Sequence, residues 1–250
     1  MHHKGTTTQR GNVLVIIFVT IALFAALIFA ITQDTKSSGK NTSRDPVFAA
    51  AEIVGYAGQI GNAVDAMMLN GTDLEDISFE NGLTADDYSH SPAVTDNDKI
   101  FHASGGGVTY ISPSESWLDA SFSAMPLYQE WGLLGNACVA NIGTGDANCH
   151  TDGSSNSEDL VLFLTWIDKS VCLAINRKVG IPPCGSDACL MDDDTSGYVF
   201  LPYTGTFADG GVAFGKSTGE FDYKHEGCTK SADSGIPFET YSYYKVLVPR

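Results

Sequence analysis

The sequence predicts an α+β protein. A membrane-spanning N-terminal helix leads into a long spine helix, which carries a globular head built on a mainly antiparallel β-sheet and a second helix. Three observations predict it. Residues 13–32 form an uncharged apolar run, long enough to cross a hydrocarbon core of about 30 Å as a helix. Residues 46–69 carry apolar side chains at helical spacing. The remainder is rich in glycine and ends in "ETYSYYKVLVPR", an aromatic and β-branched stretch suited to a strand inside a sheet.

Charge orients the chain. Lys4 and Arg10 precede the apolar run with no acid among them, so the N-terminus is expected to stay in the cytoplasm. After the run stand 30 acidic and 12 basic residues. Such a surface repels nucleic acid and anionic headgroups, which excludes a nucleic-acid partner.

Residues 33–45 are polar and serve as a linker. Asp45-Pro46 is a helix start, a capping acid before proline at the first helical position. The helix that follows places Val47, Val54, Ile60, Val64 and Met67 in an apolar seam. "NGTDLEDISFENG" reads as a turn and a short strand. "DKIFHASGGGVTYIS" reads as a hairpin around Gly105, Gly106 and Gly107, and "SWLDASFSAM" as a further strand. The three glycines lack the Lys-Ser/Thr and the following helix of a phosphate loop. "SEDLVLFLTWIDKSVCLAINRKVG" is expected to be the second helix. Ser157 would cap it, Glu158 and Asp159 would begin it, and Arg177, Lys178 and Gly180 would close it. Leu160, Leu164, Ile167, Val171 and Ile175 would form its stripe, with Trp166 as packing. "GYVFLPY" reads as a strand.

All six cysteines, Cys138, Cys149, Cys172, Cys184, Cys189 and Cys228, follow the apolar run. An even count confined there points to disulfides in an oxidising compartment, in agreement with the charge-derived topology. Zinc is disfavoured, because no C-x-x-C occurs and only His150 lies beside a cysteine. Six cysteines allow 15 connectivities. Cys138–Cys149 and Cys184–Cys189 are near in sequence, which leaves Cys172–Cys228.

Catalytic motifs are missing: no G-x-S-x-G, H-E-x-x-H or strand-linked GxGxxG occurs, and no enzyme is predicted. "MDDDTSGYVF" begins like a calcium loop. Asp192, Asp194 and Ser196 would supply oxygens at alternate positions, Gly197 would permit the turn, and the Tyr198 carbonyl could add a ligand. Tyr203 stands where an EF-hand needs its glutamate, and a solvated acidic turn is the rival reading.

Immediately before the apolar run stands "QRG". This resembles the leader of type IV pilins and type II secretion pseudopilins, which ends in glycine and is cut on the cytoplasmic face. "SFEN", "FHASGGGV", "CLAIN" and "YYKVLVPR" extend the resemblance to an alphaproteobacterial pilin-like group. The resemblance implies a leader over residues 1–11, cleavage between Gly11 and Asn12, and a membrane helix over 12–32 retained in the mature chain. It also implies a head over residues 46–250 exported to the periplasm or cell surface. The expected partners are a leader peptidase, the inner membrane, and copies of the chain or related subunits. Ile16 stands where those families usually carry a glutamate that aids assembly. Some pseudopilins bind calcium near the sheet, in keeping with the acidic loop. The alternative is a single-pass anchored binding or scaffold protein that does not polymerise.

Overall fold

The computed structural model describes residues 17, 45–84, 88–145, 158–181, 191–192, 201–208, 212–214, 223–231 and 240–250. The chain divides into two units, residues 1–43 and 44–250. In the first, only Ile17 is described; it is helical and exposed. The expected membrane span therefore lies almost wholly outside the described residues, as do Gly11 and Asn12. Among the described residues, no helix is long and apolar enough to cross a membrane.

The second unit is α+β. Helix α1 spans Pro46–Leu69, and the Asp45 side chain accepts from the Val47 N–H at 3.0 Å. Asn70 closes the helix and Gly71 follows at φ 96°, a left-handed position that glycine adopts without strain. Of the expected seam, Ile60, Val64 and Met67 are buried and Val54 packs against the core, but the buried face is wider and leaves out Val47. Ala49, Ala50, Ile53, Tyr56, Ala57, Ile60, Gly61, Ala63, Val64 and Met67 are buried, while Val47 is 62% exposed. Alanines and Gly61 make up half of that face, which packs over the sheet. A Cβ on Gly61 would sit 3.5 Å from the Lys245 side chain.

Six strands form one mixed sheet: β1 Gly132–Val139, β2 Asp159–Leu164, β3 Met191–Asp192, β4 Val212–Phe214, β5 Glu226–Ser231 and β6 Thr240–Val248. Their order is β3-β5-β6-β2-β1-β4. The inner pairings are antiparallel, as expected, and the two short outer ones are parallel, so the sheet is mixed. The C-terminal strand β6 does lie inside, between β5 and β2. Strand alternation then sorts the core. Leu133, Leu162, Tyr243 and Leu247 face α1, whereas Phe163, Phe214 and Tyr244 cluster on the other face.

Three local expectations fail. The stretch expected to be one second helix is strand β2 followed by a shorter helix, α2, Lys169–Lys178. The run "DLVLFL" is fully buried between β1 and β6, and a continuous apolar run satisfies a doubly covered strand as well as a helix. Trp166 turns the corner at φ 62°, and Asp168, not Ser157, caps α2 through Ser170 N–H. The end was read correctly: Arg177 and Lys178 occupy the last turn, and Gly180 takes φ 77°. The expected hairpin at 99–112 is a coil. Gly106 N–H donates to the Lys99 carbonyl at 3.0 Å, and a Cβ at Gly105 would lie 2.2 Å from that oxygen. The glycines serve close packing of backbone on backbone. The stretch 116–125 holds two short 3-10 turns, capped by Ser114 and Asp119, whose side chains outcompete strand pairing.

Candidate functional site

A groove of about 480 Å³ lies between the outer face of α1 and the segment 111–117. Helical spacing puts Glu52, Tyr56 and Gln59 on one side of α1. Tyr56 fixes the opposite wall: its hydroxyl donates to the Thr109 carbonyl at 3.1 Å and accepts from Ile111 N–H at 3.0 Å. Burial raises the Tyr56 pKa, offset in part by the Ile111 amide. Trp131 Nε1–H donates to the Ile111 carbonyl at 3.0 Å, so both polar groups of Ile111 are held. The Trp117 indole N–H, on the turn capped by Ser114, donates to Glu52 Oε2 at 3.2 Å. Ser112 and Ser114 add hydroxyls to the lining, and Gly55 lines it from α1.

Sequence reasoning missed this groove. Its walls are 52–59 and 111–117, and nothing local links them. A signal existed in Gly55 and Gly58, two glycines inside a helix. Each costs about 1 kcal/mol against alanine there, and at neither would a Cβ meet any atom within 4 Å.

The expected site residues are placed unevenly. Cys172 on α2 and Cys228 on β5 lie at disulfide distance, with Cα atoms 5.4 Å apart. Beside them the Asn176 amide grips the edge of β5. Its Nδ2 donates to the Cys228 carbonyl at 2.8 Å, and Cys228 N–H donates to its Oδ1 at 2.7 Å. Cys138 is disulfide-bonded, and no described cysteine is free. Cys149, Cys184 and Cys189 lie outside the described residues. Of the calcium-loop residues only Asp192 is described, in strand β3; Asp194, Ser196 and Tyr198 are outside. Among the described residues, no three His, Cys, Asp or Glu side chains are grouped to hold a metal.

Glu158 and Asp159, expected in a first helical turn, are instead fully buried where β2 begins. Asp159 accepts from Val139 N–H and Arg250 N–H, each at 3.0 Å. Burial pushes its carboxyl up to about 7, against the lowering effect of those two amides. A second polar network sits under α1. Glu226 accepts from the Tyr243 hydroxyl and from Lys245 Nζ, the latter at 3.0 Å. Burial and the adjacent Glu226 carboxylate raise the Tyr243 pKa well above its ordinary value. Both networks tie neighbouring segments of the sheet together.

The chain matches no protein-family model, no curated protein and no solved structure. Its function is therefore argued from its own residues.

Proposed function

We propose that this chain is a pilin-like or pseudopilin-like structural subunit. On this reading it spans the inner membrane once, keeps its N-terminus in the cytoplasm, exports residues 46–250, and assembles with copies of itself or related subunits. The observation that carries the proposal is α1. It follows the linker directly, runs for about 36 Å at 1.5 Å per residue, and buries one face in the head. Val47, Phe48 and Leu69 remain exposed at its two ends, at 62%, 68% and 88%. Apolar side chains at helix ends suit a subunit whose helix meets neighbours in an assembly.

Ile16, standing where pilins and pseudopilins usually carry a glutamate in the retained helix, removes a directional attraction between helices. Apolar packing alone gives poor register. Register then comes from the head or from other subunits, and the chain does not polymerise alone through its helix. The deciding experiment is mass spectrometry of the mature N-terminus from the native membrane. Removal of residues 1–11, leaving Asn12 first, supports the proposal; intact Met1 on most molecules refutes it. The groove beside α1 favours a second reading, an anchored binding or scaffold protein, which requires no cleavage after Gly11.

A further inference from the structure

We propose that His90 is an acid-sensitive latch: neutral, it holds the segment 201–208 on strand β1, and protonated, it loosens that segment. The inference holds whether or not the chain assembles into a filament. Three segments meet at this ring. The Glu75 carbonyl accepts a hydrogen bond from it. Beside it the Tyr203 hydroxyl donates to the Leu74 carbonyl at 2.8 Å, and the His90 and Tyr203 rings meet edge to face with centroids 6.1 Å apart. Gly205 closes the contact at φ 84°; a Cβ there would lie 3.0 Å from His90 Nδ1 and 2.3 Å from the Glu75 oxygen. The other end of the latch is main chain. Tyr203 N–H donates to the Leu133 carbonyl at 2.9 Å and Ala208 N–H to the Gly135 carbonyl at 3.1 Å, so 201–208 takes up main-chain acceptors of β1.

The sensitivity lies in Nε2. His90 is 8% exposed, and this nitrogen is buried with no hydrogen-bond partner among the described residues. Neutral imidazole tolerates that, since Nε2 then carries a lone pair and no proton. Imidazolium has a second N–H, which would be buried without an acceptor and with its charge out of water. Three acids, Asp76, Glu80 and Asp98, stand near enough to favour the charged ring, yet none bonds to Nε2. Glu80 is paired with Lys99 at 3.2 Å, and Asp98 accepts from the Thr95 N–H and hydroxyl. Residues 88–92 and 201–208 include no charged side chain apart from the ring itself. Arg250, which also packs on 201–208, lies over the Phe207 ring at 3.8 Å. Burial outweighs the three acids and lowers the His90 pKa from its ordinary 6.5. The latch is therefore intact above about pH 6.5 and weakens as the pH falls, because the open form takes the proton more readily than the closed one.

The test is amide hydrogen exchange of the full-length chain in a neutral detergent, at about pH 7 and about pH 5, with rates corrected for the intrinsic pH dependence of exchange. A local readout is needed because Asp159, with its carboxyl raised to about 7, moves global stability in the opposite sense. Protection of the Tyr203 amide is expected to fall about tenfold at the lower pH. The Cys172 amide, held by the Asp168 carbonyl at the start of α2, is expected to lose none. His90→Asn keeps a donor near the Nδ1 position and cannot take a charge, so its Tyr203 amide is equally protected at both pH values. Ring NMR of the parent chain is expected to show His90 still neutral as the pH passes below 6.5. The proposal is overturned if Tyr203 protection in the parent chain is the same at both pH values, or if His90→Asn retains the fall. An equal loss at Cys172, which marks global unfolding, or a His90 ring that titrates above its ordinary value, would also overturn it.

Discussion

Replacing Asn176 tests the grip of helix α2 on the sheet. Cys228 stands opposite Tyr243 in the β5–β6 ladder, with its N–H and carbonyl turned outward. The Asn176 side chain takes both, acting as a one-residue strand, and Asn176 is only 5% exposed. Asn176→Ala leaves two buried main-chain groups without partners, at about 1–3 kcal/mol each when water cannot reach them. Allowing for some water entry, the expected loss is about 2–5 kcal/mol. For a unit of this size a loss near 3 kcal/mol lowers the melting temperature by about 6–12 °C. Asn176→Asp sharpens the test. The carboxylate can accept from Cys228 N–H but faces the Cys228 carbonyl with no proton to give. The neutral acid can do both. This variant is therefore expected to be weakest near pH 7 and to recover toward pH 4, because burial beside a carbonyl raises its carboxyl pKa in the folded state. Urea unfolding of the full-length chain, followed by tryptophan fluorescence from pH 4 to 8, measures both effects. A loss below about 0.5 kcal/mol for Asn176→Ala, or a pH-independent Asn176→Asp, would refute the reasoning.

Two further predictions follow from buried groups. Asp159 has its carboxyl raised to about 7 by burial. Its contribution to stability is thus full below about pH 4 and is lost as pH rises through 7, a difference on the order of 4 kcal/mol. Asp159→Asn gives up one of two amide contacts but flattens that slope, and parallel pH–stability curves for the two proteins would contradict the assignment. Breaking the Cys172–Cys228 bridge by Cys172→Ala with Cys228→Ala releases a loop of sequence separation 56. The chain-entropy model puts the loss at about 4 kcal/mol, and denaturation midpoints unchanged from the parent chain would count against it.

Local chemistry in the sequence determined several features directly. Asp45-Pro46 and Asn70-Gly71 bracket α1 because capping and left-handed glycine act within a few residues. The end of α2 at Arg177, Lys178 and Gly180 follows the same logic. The aromatic, β-branched stretch that became β6 could satisfy its backbone and side chains together only inside a sheet. Tertiary structure decided the rest, because the competing local solutions were close in energy. "DLVLFL" fits a buried helix or a doubly covered strand, and neighbours β1 and β6 chose the strand. On α1, Ile60, Val64 and Met67 entered the core as their spacing implied, while Val47 at the helix start stayed exposed and alanines filled out the buried face. The groove, the Asn176 grip and the burial of Asp159 each join residues 20 or more positions apart, such as Glu52 to Trp117 and Asn176 to Cys228. No short-range pattern specifies such pairings. They arise when the sheet order brings the segments together and every buried polar group must find its partner.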